Sequence, residues 1–379
     1  MEFFLTEEQL AVQQAARDFA RMELLPGVIE RDTLQRFPET QIKKMGLLGF
    51  MGMMVDPKYN GGGMDTISYV LAMEEISKID ASAAVCMSVN NSLVCWGLEK
   101  FGTEDQKEKY LKKLATGEVI GAFCLSEPEA GSDATSQRTT AEDRGDHYLL
   151  NGTKNWITNG SSASVYLVIA QTHPAQRHKG INALIVERGM EGFSIGEKED
   201  KMGIRGSDTH SLMFTDVKIP KSNRIGEDGT GFYFAMSTLN GGRIGIASQA
   251  LGIASGAYEL ALQYAKERKA FGKTLSEHQG IQFKLAEMAT QVDAARLLVH
   301  QAAWLKDQGK DFVKEAAMAK LFASKIAQEV TSEAVQIHGG YGYVKAFHVE
   351  RLMRDAKITQ IYEGTSEIQK MVISRELLR

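Results

Sequence analysis

The chain has 379 residues, more than a single hydrophobic core usually supports, so two or three packed domains are expected. Its 44 basic and 48 acidic residues give a formal net charge of -4, and the basic residues are dispersed, which argues against nucleic acid and leaves small molecules or proteins as partners. Cys86, Cys95 and Cys124 form no CxxC pair and have no His at metal-ligand spacing, so all three read as buried small hydrophobes in a reducing compartment, with no metal site expected.

The N-terminal stretch Met1-Glu2-Phe3-Phe4-Leu5-Thr6-Glu7-Glu8 carries neither a basic n-region nor an apolar h-region. No uninterrupted apolar run approaches membrane-spanning length, so the expectation is a soluble, cytoplasmic protein with no membrane partner. The first third reads as helical: capping boxes at Thr6 to Gln9 and Thr103 to Gln106 each precede apolar residues at helical spacing, and Asn60-Gly61-Gly62-Gly63 interrupts them with a loop. Between about 121 and 220 the pattern changes to short β-rich runs, Val165 to Ala170 and Ile181 to Val186 among them, and Asn151-Gly152 predicts a hairpin turn.

No proline follows Pro220, as long uninterrupted helices require. Leu285, Met288, Val292, Ala295 and Val299 recur at helical spacing, as do Phe322, Ile326, Val330, Ala334 and Ile337. That is the seam of an antiparallel helix bundle. The residues therefore read as helix, then β, then helix.

Five separated motifs follow one another along this frame. They are Leu125-Ser126-Glu127-Pro128, Trp156-Ile157-Thr158, Arg268-Lys269-Ala270-Phe271-Gly272, Gln336-Ile337-His338-Gly339-Gly340, and Ile361-Tyr362-Glu363-Gly364-Thr365-Ser366-Glu367. In content, order and spacing they resemble the acyl-CoA dehydrogenase family. The resemblance implies a multidomain α+β fold: an N-terminal helical domain over 1–120, a small β-domain of barrel or sandwich type over 121–230 that contacts flavin and substrate, and a four-helix bundle over 231–379. The bundle would carry the catalytic base and the oligomer interface.

Dehydrogenating a saturated acyl thioester removes a weakly acidic α-proton while a hydride leaves the β-carbon, so a site needs a carboxylate base, carbonyl polarisation and a redox cofactor. Glu363 is the candidate base, and Gly364 removes a Cβ that would obstruct backbone approach to the thioester. Taken alone, Glu beside Gly reads better as a solvated helix end; the accompanying motifs reverse that preference. Burial against substrate and flavin would raise the Glu363 pKa towards working pH. In some branched-chain members of the family the base sits on another helix, at the position of Gly242, where glycine cannot serve.

The turn-rich run from Leu125 to Asp133 offers hydroxyls and free N–H groups to a polar ligand, though by itself it reads as a surface loop. The resemblance makes Phe123, Leu125, Ser126, Gly131 and Ser132 flavin contacts, with Ser132 also touching the CoA portion. A strand-borne Trp is more often core, but the resemblance moves Trp156, Ile157 and Thr158 to the flavin. It further implies that Arg268, Phe271, Gln279, Gln336, Ile337, Gly339 and Gly340 reach the FAD of a neighbouring subunit, and that Thr365, Ser366 and Glu367 complete the flavin site. The planar fork of Arg268 suits a pyrophosphate. Asn240 and Arg243 stand where the family binds CoA, with Gly364 beside the thioester; Asn240 replaces the Asp often found there, and either can accept a hydrogen bond.

Gly272-Lys273-Thr274 has the look of a P-loop, but Glu267 occupies its first glycine position and no strand is expected before it; no GxGxxG occurs either. Met87-Ser88-Val89-Asn90-Asn91-Ser92-Leu93 resembles the short-chain, butyryl-CoA branch. The implied activity is FAD-dependent conversion of a short-chain acyl-CoA to the trans-2-enoyl-CoA in a homotetramer, a dimer of dimers, passing electrons to an electron-transfer flavoprotein. An oxygen-using acyl-CoA oxidase and a non-catalytic acyl-CoA-binding protein on the same fold are the alternatives.

Overall fold

The computed structural model describes residues 4–379; Met1 to Phe3, part of the N-terminal stretch read above, lie outside the described residues. Helices α1 (Glu7–Phe19), α2 (Val28–Thr33), α3 (Glu39–Leu47), α4 (Thr66–Ile79), α5 (Ala81–Ser88), α6 (Trp96–Phe101), α7 (Glu104–Gln106) and α8 (Lys112–Ala115) build the first part. Both capping boxes form: Gln9 N donates to Thr6 Oγ1 at 3.2 Å while Thr6 N donates to Gln9 Oε1 at 3.0 Å, and Thr103 and Gln106 repeat the exchange. Each box satisfies two N–H groups that the first helical turn leaves without partners.

The stretch Ala81–Phe101 is long and apolar enough to cross a bilayer, but 94% of its most apolar window is buried inside the fold. It runs from α5 through a wide-turn segment, Val89–Cys95, into α6, and is a core element covered by other helices.

The middle part is an eight-stranded sheet of β1 (Gly121–Cys124), β2 (Thr140–Asp143), β3 (His147–Thr158), β4 (Val165–Gln171), β5 (Ile181–Glu187), β6 (Phe193–Lys198), β7 (Thr209–Pro220) and β8 (Arg224–Ile225). The order is β6-β7-β3-β2-β4-β5-β8, with β1 added in parallel to β4. On β4, Val165, Leu167 and Ile169 enter the core shared with the helices, while Tyr166, Val168 and Ala170 enter the core of the β-domain. Both faces are covered, which is why the run is continuously apolar rather than alternating.

Asn151-Gly152 makes no hairpin turn. It lies inside β3 at a register shift against β7. Gly152 has φ 142°, and a Cβ there would come within 2.5 Å of Thr139 Oγ1. Asn151 Nδ2 donates to Asp216 Oδ1 at 2.9 Å and its Oδ1 accepts from Asp216 N at 2.8 Å, so the pair stitches a bulge. The turn between β2 and β3 falls instead at Arg144, Gly145 and Asp146, closed by Arg144 N donating to His147 O at 2.9 Å.

The last part holds α9 (Gly231–Glu267), a two-residue ladder of β9 (Lys269–Ala270) with β10 (Lys273–Thr274), and then α10 (Gln279–Asp307), α11 (Val313–His338), α12 (His348–Ile358) and α13 (Ser366–Leu377). The predicted seam residues of α10 and α11 are buried, Phe322 only partly. A short strand does precede Gly272, contrary to expectation, but it folds back antiparallel on β10 and cradles nothing. The helical parts meet where α9 crosses α4: Cβ atoms on Gly252 and Gly256 would lie 2.5 Å from the carbonyl oxygens of Glu74 and Lys78. Only glycine permits that approach, and it brings α4, α5 and α9 together beside the site.

Candidate active site

Thr365 caps α13, accepting from Ile368 N at 3.3 Å, so the chain must turn sharply between Ile358 and Ser366. The turn is made by two consecutive left-handed residues, Glu363 at φ 51° and Gly364 at φ 95°. For a non-glycine residue that conformation costs roughly 1–2 kcal/mol, so the surrounding structure has to hold it. Gln369 Nε2 donates to Gly364 O at 2.8 Å, and Lys320 Nζ from α11 donates to the same oxygen at 2.6 Å.

The turn aims the Glu363 side chain inward. Its Oε2 is out of contact with water and has no hydrogen-bond partner among the described residues. A Cβ on Gly242 would overlap that oxygen and stand 2.7 Å from Leu93 Cδ2. Burial pushes the Glu363 carboxyl up to about 7, against the opposing pull first of Lys320 and then of Arg243.

Around it, Arg243 is 6% exposed and its Nη1 donates to Asn240 Oδ1 at 2.7 Å, while its Nε is buried without a partner among the described residues. Tyr69 donates to Ser88 Oγ at 3.1 Å where α4 and α5 meet Gly245 of α9. The Tyr362 hydroxyl bonds Gln249. In the Met87 to Leu93 motif, the two asparagines are consumed internally: Asn90 Nδ2 donates to Met51 O at 2.8 Å and Leu114 O at 3.0 Å, and Asn91 Nδ2 to Phe50 O at 2.8 Å. Leu93 is the member of that motif whose side chain borders the space that Gly242 leaves for Glu363 Oε2.

On the β-domain side, Phe123 in β1 leads to Leu125 and Ser126, and Asn155 N donates to Ser126 O at 2.9 Å, bringing the 125–132 loop beside Trp156. Gly131 and Ser132 are exposed at the loop tip. Trp156 is not core: it is 61% exposed with φ 62°, at a second bulge of β3, whereas Ile157 is buried and Thr158 half-buried. The loop is anchored by a residue the sequence reading did not single out. Lys154, fully buried, donates to Leu125 O at 3.0 Å, Glu127 Oε1 at 2.7 Å and Gln137 Oε1 at 3.1 Å.

The remaining residues gather elsewhere. Arg268, Ile337, Gly339 and Gly340 line a cavity of about 520 Å³ with Tyr264, Leu275, His338, Tyr341 and Val344, and the Arg268 guanidinium stands 5.4 Å from the Tyr341 ring centre. Phe271 (96% exposed), Gln279 and Gln336 are exposed nearby in sequence but outside that lining. Gly242 lies within α9 and Arg268 just past its C-terminus, about 39 Å away along the helix axis. Thr365, Ser366 and Glu367 form the start of α13 next to Glu363. Lys320 was also missed; its signal is a lysine at the seam position shared by Ala316, Ala323 and Ala327.

Family models for the acyl-CoA dehydrogenase N-terminal, middle and C-terminal domains match residues 6–118, 122–217 and 229–378. The chain belongs to the acyl-CoA dehydrogenase family. A short-chain specific acyl-CoA dehydrogenase of Clostridium acetobutylicum is 50% identical over 379 residues, covering 100% of both chains. The butyryl-CoA dehydrogenase structure from Megasphaera elsdenii superposes at TM-score 0.98 with 50% identity over 100% of both chains. A chain in a structure described as the electron transferring flavoprotein of Acidaminococcus fermentans superposes at TM-score 0.99 with 51% identity, again over 100% of both.

This acyl-CoA dehydrogenase is thus a flavin-dependent oxidoreductase with FAD as its cofactor. Its residues fit that group: an exposed aromatic face at Trp156, a hydroxyl at Thr158 and a firmly anchored polar loop lie together at the C-terminal end of β3.

Proposed function

We propose that the enzyme dehydrogenates a short-chain acyl-CoA to the trans-2-enoyl-CoA with Glu363 as the base. The observation that carries this reading is the Glu363 Oε2 atom, buried and unpartnered opposite Gly242, with its carboxyl raised to about 7. The α-C–H bond breaks, its proton passes to Glu363, and its electron pair becomes the new α,β double bond as hydride leaves the β-carbon. FAD, when bound, supplies the two-electron acceptor for that hydride. Backbone N–H of Glu363 polarises the thioester carbonyl, and Asn240, Arg243 and Ser132 bind the CoA portion. Phe123, Leu125, Ser126, Gly131, Ser132, Trp156, Ile157, Thr158, Thr365, Ser366 and Glu367 hold the flavin.

The assignment to short chains is supported by the substrate named for the Clostridium and Megasphaera relatives and by Leu93 beside the base. The family resemblance assigns Arg268, Phe271, Gln279, Gln336, Ile337, Gly339 and Gly340 to the FAD of a neighbouring copy in a homotetramer, and the cavity that Arg268, Ile337, Gly339 and Gly340 line together supports a shared role for those four. The working division is 1–120, 121–230 and 231–379. Likeness to a chain from an electron transferring flavoprotein structure supports such a flavoprotein as electron acceptor.

Anaerobic titration with butyryl-CoA, octanoyl-CoA and isovaleryl-CoA tests the reading. Butyryl-CoA should bleach the flavin fastest, E363Q should keep flavin and lose bleaching, and oxygen should replace the external acceptor poorly. Near-normal turnover of E363Q would reject Glu363 as base; bleaching only by another thioester would move the substrate.

A further inference from the structure

We propose that Lys320 is a positioning residue for the base: its ammonium, buried inside the bundle, holds the Gly364 carbonyl and thereby fixes where the Glu363 carboxylate points. The inference rests on Glu363 being the base. Lys320 is fully buried on α11, in line with Ala316, Ala323 and Ala327, where packing alone would be served by another small apolar residue. A buried ammonium is expensive unless it is well paired. Its one hydrogen bond among the described residues is to Gly364 O at 2.6 Å, and Gly364 is the second of the two left-handed residues that aim Glu363 inward.

Its charge also acts on the carboxylate. Burial disfavours ionised Glu363, and Lys320, whose own ammonium burial pulls down to about 8, opposes this more strongly than Arg243 does. The ionisable groups facing Glu363 are Lys320 on α11, Arg243 on α9 and Tyr69 on α4, with Tyr362 beside it; Glu367 on α13 faces Lys320, and Arg375 faces Arg243. Gln369 Nε2 provides a second, neutral donor to Gly364 O at 2.8 Å, so the turn keeps one anchor without Lys320.

The test compares holoenzymes of Lys320→Met, Lys320→Gln and Lys320→Arg for flavin content, melting temperature, KM for butyryl-CoA, and anaerobic flavin reduction as a function of pH. For Lys320→Met we expect flavin and KM to be nearly kept, reduction to slow by about 10- to 100-fold, and the acid limb of the profile to move to higher pH. Lys320→Gln, which keeps a donor without charge, should slow less and show the same displacement. Lys320→Arg should recover rate and restore the limb. An unmoved acid limb in both neutral variants, or loss of rate only in proportion to lost flavin or folding, would overturn the proposal. E363Q measured in parallel separates the two claims: if it turns over normally the base assignment falls, and if it is inert while Lys320 variants keep the wild-type profile, only the role of Lys320 falls.

Discussion

Gly242 and Glu363 address the same volume. The α-carbon on α9 faces the carboxylate so closely that a Cβ at 242 would overlap Oε2. A side chain at 242 and the Glu363 carboxylate in this position therefore exclude each other.

Gly242→Ala should therefore displace the Glu363 carboxylate rather than merely fill space. Overpacking costs about 1–3 kcal/mol of stability, and a displacement of about 1 Å lowers the rate on the order of 100-fold. Flavin reduction by butyryl-CoA should fall far more than flavin content. Unchanged reduction kinetics would show that the carboxylate does not work from the position seen here.

The reaction should need the ionised form of Glu363. Since burial raises that carboxyl to about 7, it is protonated below this value, and if Glu363 is the base the rate of flavin reduction should rise roughly tenfold per pH unit on approaching it and then level off. A rate already on its plateau at pH values near an ordinary carboxylate pKa would contradict the assignment.

Lys154→Met breaks a buried ion pair in which Lys154 is 0% and Glu127 3% exposed at the side chain. Leaving Glu127 unpaired should cost about 3–5 kcal/mol. The freed carbonyl of Leu125 loosens the 125–132 loop, so the variant should lose both melting temperature and flavin absorbance. Retention of full flavin after gel filtration would show that the loop is held by other contacts.

Trp156→Gly separates a cofactor contact from a core residue. A buried Trp would cost about 3–5 kcal/mol on truncation. Trp156 is 61% exposed with φ 62°, so glycine relieves backbone strain, and the apoprotein should melt within about 1 kcal/mol of wild type. FAD should bind roughly tenfold more weakly or worse through loss of the aromatic face. A strongly destabilised apoprotein with normal FAD affinity would reverse this reading.

Local chemistry made much of the fold legible. Thr6 and Thr103 began helices because a hydroxyl with a glutamine three residues on satisfies free N–H groups wherever the chain goes, and the seam from Leu285 to Val299 named its own buried face. Asn151-Gly152 misled because a glycine suited to a turn suits a bulge equally, and Thr139 and Asp216, distant in sequence, decided between them. The motif around Glu363 likewise identified a carboxylate, its glycine and a family. The sequence by itself determined which residue types were available for the chemistry. Tertiary structure decided that Glu363 Oε2 is buried, that Gly242 leaves it room, that Trp156 faces outward and that Lys320 and Lys154 are anchors, because burial, clearance and charge proximity depend on segments that only folding brings together.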